Sequence, residues 1–365
     1  MRALLFFVMA FSFYSALGQT ISGYVYDEAE NKPLEGAFVY LDGTTISAST
    51  DSRGFFKITT PQKYNTTLVI SYVGFEDLVV QEPYSYGKPF KVLLREDAIK
   101  LQEVVITKGG PFSRRAMLAA FRKQFLGMSD AGSSCKIENE SDIVLYYSTT
   151  DNTLHAMAYK PIIINNKRLE YKLAFTLSDF TVHYNMKTLN EQNAIGSFFA
   201  GTTFFTDVAT KEITIKRRKG VYEGSTMHLM KTIAANDWEN QKFALYADKL
   251  PASPSAYFSV TDSLDYKKVT LIDIPASVKK NRAEVAKLNL RSLAKKEKNN
   301  SEYSDVKFVI MYKNSEQTEI SFNRGYFYID HNWLFFPINE IIFSGYMGTL
   351  KAGDLLPTDY VYTPM

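Results

Sequence analysis

Cysteine is almost missing from this chain: Cys135 is the only one in 365 residues. A single thiol excludes an intramolecular disulfide framework and any metal site built from several cysteines. It leaves the compartment open, because an oxidising environment permits disulfides without requiring them. Histidine is scarce as well. His155, His183, His228 and His331 are the four present. None stands in His-Glu-x-x-His, His-x-x-Glu or His-x-x-x-His spacing, so a zinc peptidase's paired ligands and general base have no local motif. Gly-x-Ser-x-Gly, Gly-x-x-x-x-Gly-Lys-[Ser/Thr] and Gly-x-Gly-x-x-Gly are also missing, which removes the signatures of a serine hydrolase elbow, a P-loop and a dinucleotide fold. An excess of one charge is lacking too. The 42 basic residues face 39 acidic ones, a net charge of +3 that offers nucleic acid no strong field. Beyond the first residues no apolar run approaches the roughly 20 residues that a spanning helix needs.

What is present points to a globular, β-rich protein. Hydrophobic residues make up 45% and charged residues 22%, enough for real cores, and the length suggests two domains. Aromatics reach 14%, with 24 Tyr and 26 Phe, side chains that favour pleated, half-buried surfaces.

The opening residues predict export. Met1-Arg2 supplies a positive charge, Ala3 to Tyr14 is apolar, and Ala16-Leu17-Gly18 places small residues at a cleavage site. This pattern reads as a secretory signal peptide over 1–18, with Gln19 as the mature N-terminus. The alternative, a membrane anchor, needs a longer run. No Cys follows the cleavage site, so lipid cannot be attached there. Removal of Arg2 leaves 41 basic against 39 acidic residues, or +2.

From Thr20 to Ile106, short strands alternate with turns. The strands are Ile21 to Asp27, Phe38 to Leu41, Phe55 to Ile58, Leu68 to Tyr72 and Phe90 to Leu94. The turns fall at Asp27 to Lys32, Asp42-Gly43 and Thr50 to Gly54. Strands this short and this closely spaced indicate an all-β sandwich. Gly36, Gly43, Gly54 and Gly74 serve turn geometry, and Asp51 caps a turn. A metal role for Asp27, Asp42 and Asp51 lacks the oxygen-rich loop that calcium requires.

Gly23-x-Val25-x-Asp27, Pro33-Leu34-x-Gly36-Ala37-x-Val39, Thr50-Asp51-x-x-Gly54-x-Phe56 and Ser71-Tyr72-x-Gly74-Phe75 resemble the carboxypeptidase-like regulatory domain. The closing Leu101-Gln102-Glu103-Val104-Val105-Ile106 is similar to the segment that follows this domain in outer-membrane receptors of the Bacteroidota. The resemblance implies a transthyretin-like or Ig-like β-sandwich over 19–107 with no catalytic residues of its own.

The remainder reads as a connector and a larger domain. Lys108-Gly109-Gly110-Pro111 is a break. Residues 108–128 hold this linker and an amphipathic helix, capped by Ser113 and stopped at Gly127, with Leu118, Phe121 and Phe125 on one face. Its basic residues Arg114, Arg115, Arg122 and Lys123 admit a lipid-binding reading; packing onto the following domain is the plainer expectation. Over 129–365, β patterning recurs at Asp142 to Ser148, Leu154 to Tyr159, Pro161 to Ile164, Leu169 to Leu177, Phe180 to Tyr184 and Lys211 to Lys216. Phe125-Leu126-Gly127, Pro161-x-Ile163-Ile164-Asn165-Asn166, Arg217, Tyr222-x-Gly224-Ser225-x-x-His228 and Asp354-Leu355-Leu356-Pro357 resemble the body of Bacteroidota envelope proteins with the same leading domain. That group often carries Leu-Gly-Tyr where this chain has Leu169-Glu170-Tyr171.

The motifs single out no reacting group. Ser225 and His228 suggest a nucleophile and base, or else a helix cap with a packed ring. Cys135 reads as a buried, inert thiol. Carboxylate pairs for glycoside hydrolysis are not singled out by any spacing. Val278 to Asn300 holds Lys279, Lys280, Arg282, Lys287, Arg291, Lys295, Lys296 and Lys298 against Glu284 and Glu297, either an anionic-polymer site or a solvated helix. Tyr326-Phe327-Tyr328 and Trp333 to Phe336 offer sugar-stacking rings or core. The expectation is a mainly β protein, α+β overall: a sandwich followed by a larger β-rich domain with a few helices, too short for a plug and a receptor barrel of roughly 22 strands. No catalytic, cofactor or metal residue is assigned. The expected role is a non-catalytic interaction module in the periplasm or outer membrane, partnered by another envelope protein or a surface glycan; an envelope hydrolase or a carbohydrate-binding protein is the alternative.

Overall fold

A computed structural model describes residues 19–97, 110–289 and 303–362. The expected signal peptide, the Leu101 to Ile106 segment and the 290–300 part of the basic stretch lie outside the described residues. The chain divides into two compact units, Met1–Val105 and Ile106–Met365. It is mainly β, with 41% strand against 22% helix.

The first unit is a sandwich of two sheets. One has the order β4-β1-β7, with β1 (Gln19–Asp27) antiparallel to β4 (Phe55–Thr60) and parallel to β7 (Phe90–Leu94). The other runs β3-β2-β5-β6, from β2 (Phe38–Leu41), β3 (Ser47–Ser49), β5 (Leu68–Ser71) and β6 (Leu78–Val80). Alternation decides what faces inward: along β1, Ile21, Gly23, Val25 and Asp27 are buried. Of these, Ile21 and Val25 form one core with Val39, Leu41, Phe56, Ile58, Ile70 and Val92. The two strands that sequence patterning misses, β3 and β6, are three-residue edge strands without a buried alternating face. Gly54 is required twice over. Its φ of 73° is left-handed, and a Cβ there would stand 2.4 Å from the Val25 carbonyl.

The second unit opens with α1 (Arg114–Leu126) and the single-turn α2 (Asp130–Ser133). Ser113 caps α1 by accepting from the Ala116 amide, and Gly127 ends it with φ 86°. A six-stranded sheet follows: β8 (Cys135–Ile137), β9 (Ile143–Ser148), β10 (Thr153–Ala158), β11 (Ile162–Asn166), β12 (Tyr171–Tyr184) and β13 (Ala194–Asp207). β12 is the spine. β11 and β10 pair with its two halves, and β13 pairs along its whole length. The runs at Leu169 to Leu177 and Phe180 to Tyr184 are thus a single 14-residue strand, with a register shift between Leu177 and Asp179. α1 lies on this sheet. Phe121 packs 4.7 Å from Phe180, Phe125 packs 5.0 Å from Phe175, and both are fully buried. The helix's apolar stripe is core, so it is not presented to lipid. Two of its basic residues are held locally, Arg122 on the Glu140 carboxylate at 2.6 Å and Arg114 on the Ile143 carbonyl at 2.8 Å.

Two further helices, α3 (Glu212–Tyr222) and α4 (Thr226–Ala235), lead into two more sheets. The five-stranded one has the order β15-β14-β18-β19-β22 and the four-stranded one β16-β17-β20-β21. Their strands are β14 (Phe243–Ala247), β15 (Leu250–Ala252), β16 (Phe258–Ser263), β17 (Tyr266–Leu271), β18 (Lys307–Tyr312), β19 (Glu316–Phe322), β20 (Tyr326–Ile329), β21 (Phe335–Phe336) and β22 (Ile341–Gly345). Leu229, Ile233, Phe243, Val269, Phe308, Phe322 and Phe327 share their core. Between β17 and β18 stands α5 (Ala276–Asn289), and the one-turn α6 (Tyr346–Thr349) follows β22. The described part of the basic stretch is therefore helical. Of its side chains from Val278 to Lys287 only Val278 is buried, while Lys279 and Arg282 pair with Asp273 and Asp305.

Lys211 to Lys216 corrects a strand expectation: it belongs to α3. Ile213 and Ile215, whose alternation suggests β, are 46% and 68% exposed. The residues α3 buries are Thr214, Arg218 and Tyr222, at helical spacing. Its inward stripe is polar, and hydrophobic periodicity cannot report such a stripe.

Candidate functional site

Asp27 and Asp51 of the first unit serve turns. Asp27 Oδ1 accepts from the amides of Ala29 at 2.7 Å and Glu30 at 3.2 Å. Asp51 Oδ1 accepts from Arg53 and Phe55, each at 2.9 Å, and those amides hold its carboxyl below the usual range. Buried Thr50 accepts from the Ala37 amide and donates to the Leu34 carbonyl. The Asp42 carbonyl accepts from Thr66 Oγ1. Among the described residues no three of His, Cys, Asp and Glu gather as metal ligands would, so Asp27, Asp42 and Asp51 are not brought together.

The sequence candidates of the second unit are likewise engaged in structure. Ser225 caps α4 by accepting from the His228 amide at 3.2 Å. The His228 ring turns elsewhere. Nδ1 accepts from the Gly224 amide at 3.1 Å, so the neutral ring carries its proton on Nε2 and donates it to Gln241 Oε1 at 2.9 Å. Burial lowers its pKa. With both nitrogens occupied, His228 cannot serve Ser225 as a base. Burial pushes the Cys135 thiol up to about 12, and its S–H donates to the Ala131 carbonyl; at neutral pH it is a thiol and not a nucleophile. His155 stacks on Tyr146, His183 meets Thr153 Oγ1 at 2.9 Å, and His331 lies beside Asn332. Tyr326 and Tyr328 face outward from β20 but pack on one another and on Phe336, while Phe327 is core.

Glu170 and Arg218 do what no motif announces. Glu170 has φ 50°, the left-handed conformation that a glycine adopts without strain, and it is buried. Its Oε2 accepts from the amides of Thr210 and Lys211 and from Thr214 Oγ1, at 2.8, 3.3 and 2.8 Å. These donors bring its pKa down to about 2, the Thr210 amide contributing most. The departure at Leu169-Glu170-Tyr171 thus supplies the cap that α3 lacks from its own N-cap residue, Lys211. Arg218 forks onto Asp207 at 2.7 and 2.8 Å, donates to the carbonyls of Leu169 and Glu170, and lies 3.6 Å over the Tyr171 ring.

What remains open is a cavity of about 1100 Å³ within the second unit. It lies among the end of α1, the α2 turn, the start of β13, the outer face of α3 and the Tyr346 to Asp354 segment. Spacing explains the α3 contribution, since Ile213, Lys216, Arg217 and Gly220 share one side of that helix. The C-terminal segment is clamped by close approach: a Cβ on Gly353 would meet the Gly132 Cα at 2.5 Å. Asn166 Nδ2 donates to the Gly353 carbonyl at 2.8 Å. Asp354 accepts from Ser129 Oγ at 2.5 Å and from the Lys351 amide at 3.1 Å, and burial raises its pKa. Lys351, held in this way, extends Nζ to Ser197 Oγ at 2.8 Å, and burial lowers its pKa. The lining cations are Lys123, Arg168, Lys216, Arg217 and Lys351; the acids are Asp130, Glu191 and Asp354. Sequence reasoning flagged Arg217 and Asp354 through resemblance alone, and Gly127 also as the stop of α1. It missed Lys351, Lys216, Arg168 and Ser197, because only long-range folding brings them to one cavity.

Comparison with known proteins bears on the first unit. Residues 21–106 match the CarboxypepD_reg-like domain family, a non-catalytic Ig-like β-sandwich. The β-rich second unit follows it. No curated protein matches the chain.

Proposed function

We propose that this chain, a CarboxypepD_reg-like domain followed by a β-rich unit with a charged cavity, is an exported, non-catalytic binding protein of the cell envelope. One observation carries the reading. His228, Cys135 and Glu170 are tied into structure, while Lys216, Arg217 and Lys351 line the cavity without an ion pair among the described residues. The leading 1–18 pattern supports export. The partner class is another envelope protein or a surface glycan. Expression of the full chain in a bacterial host, fractionation and N-terminal sequencing test export: a mature chain beginning at Gln19 outside the cytoplasm is expected, and an uncleaved cytoplasmic chain contradicts it. In-cell crosslinking tests binding: a recurrent envelope partner or glycan adduct is expected, and finding neither contradicts it.

A second reading, an envelope hydrolase, is favoured by the Lys351–Ser197 contact. A lysine whose pKa is lowered by burial is a general base for a serine in serine–lysine hydrolases. Ser197 Oγ would add to a carbonyl carbon, passing its proton to Lys351 Nζ, which returns it to the leaving amine or alcohol. A fluorophosphonate probe decides between the two. Covalent labelling lost in Ser197→Ala establishes the hydrolase; an unlabelled wild-type chain leaves the binding protein.

A further inference from the structure

Five cations and three acids line the second unit's cavity, and the acids do not cancel the cations evenly. Asp130 pairs with Arg168 at 2.9 Å, and Glu191 reaches Lys123 at 3.9 Å. Asp354 is 9% exposed, and its two oxygens are occupied by Ser129 and the Lys351 amide. That leaves Lys216, Arg217 and Lys351, none of which forms an ion pair among the described residues. Arg217 makes only a long contact, Nη1 to the Arg168 carbonyl at 3.5 Å. Lys351 is half-buried with a neutral hydroxyl as its partner. An ammonium removed from water without a counter-charge costs free energy, and the fold holds it there by backbone clamps on either side.

A bound anion would offset that cost. It would gain most from Lys351, where water is partly excluded and a charge pair is weakly screened. Arg217 adds a planar fork suited to a carboxylate or phosphate. Met128, Ile195, Ile213 and Val221 give the rest of the wall an apolar character, so the ligand needs a body as well as a charge. The volume leaves room for such a molecule, since it stands just above the range usual for small-molecule sites.

We propose that this cavity binds a small organic anion, its carboxylate or phosphate held by Lys351 and Arg217 and its body against the walls of α3 and β13. The inference goes beyond the binding reading, adding a small-molecule ligand to the envelope partner proposed there. Lys216, exposed at the rim, attracts the anion without enclosing it.

The test is calorimetric titration of the full mature chain with three probes: trigalacturonate for the carboxylate, glucose 6-phosphate for the phosphate, and neutral maltotriose. At least one anion is expected to bind and maltotriose is not. The affinity should fall tenfold or more in the double variant Lys351→Gln/Arg217→Gln, and two- to threefold when salt rises from about 0.05 to 0.3 M. Lys216→Gln should reduce that salt dependence and leave most of the affinity. The circular dichroism of each variant shows that the fold is retained; should the double variant not fold, Arg217→Gln alone carries the comparison. Equal binding of anion and neutral sugar, unchanged affinity in the variants, or no binding of either anion to the folded wild type overturns the proposal. Any of these leaves export and envelope crosslinking, which are measured separately, as they were.

Discussion

The two units differ in how far their buried polar side chains reach. In the first, Asp27 reaches two and three residues along the chain, Thr50 reaches 13 and 16, and Thr60 reaches 24 and 41. In the second they span the sequence: Glu170 to Thr210 bridges 40 residues, Asn166 to Gly353 bridges 187, and Ser129 to Asp354 bridges 225. A sandwich whose turns close on themselves needs only alternating strands between them. The second unit has a helix, α3, whose inward side is polar, and a C-terminal segment that returns to the end of α1. Both depend on distant partners, so both must be desolvated and satisfied together. The cavity is a consequence, because the segment that bears Lys351 is placed by those long-range bonds.

Four perturbations probe this contrast, beginning with the most severe. Phe125→Ala removes a fully buried ring between α1 and β12, and should cost the second unit about 3–5 kcal/mol in denaturant unfolding. Hydrogen exchange resolved by unit should show the first unit unaffected. Arg218→Leu strips Asp207 and two carbonyls of their donor. Asp207 is itself 47% exposed at its side chain, so we expect about 2–3 kcal/mol, less than for a fully enclosed pair. A loss under about 0.5 kcal/mol would mean that the long-range polar bonds do not hold α3, and the contrast between the units would fail. Ser225→Ala, which removes the α4 cap, should cost about 1 kcal/mol and change no binding property.

The mildest effect is of pH. All four histidines lie in the second unit. His228 and His155 both have pKa values lowered by burial. Below about pH 6.5 the unfolded chain takes up protons that the folded chain refuses, so stability is complete above that pH and declines as pH falls toward the folded-state values. The second unit should therefore lose stability between pH 7.5 and 5.5 while the first holds constant. Equal slopes by unit-resolved exchange would show that the His228 ring is not held neutral.

The limits of reading this chain from its residues follow the same division. The first unit's strands were legible because β alternation and Asp/Gly turns are local signals, and only the edge strands β3 and β6 escaped. The Ser113 cap and Gly127 stop of α1 were legible for the same reason, as was the Ser225 cap of α4. The start of α3, Lys211 to Lys216, patterns as a strand because Ile213 and Ile215 alternate outward, while the residues α3 buries, Thr214 and Arg218 among them, look like surface residues by composition. The cavity was invisible. Arg168, Ser197, Lys216 and Lys351 sit on four separate stretches of the chain, and nothing in their local spacing announces that they meet.

The account turns most directly on the state of one amine. In the full chain with its lysines carbon-13 dimethylated, and with Lys351→Gln to assign the signal, Lys351 should titrate below the bulk lysines when the protein is free. It should move up toward them when the carboxylate or phosphate probe is bound, because the enclosed ammonium gains its counter-charge. A Lys351 signal that titrates with the exposed lysines, or one that ignores the probe at saturating concentration, would contradict a cavity shaped to hold an unpaired charge for an anion.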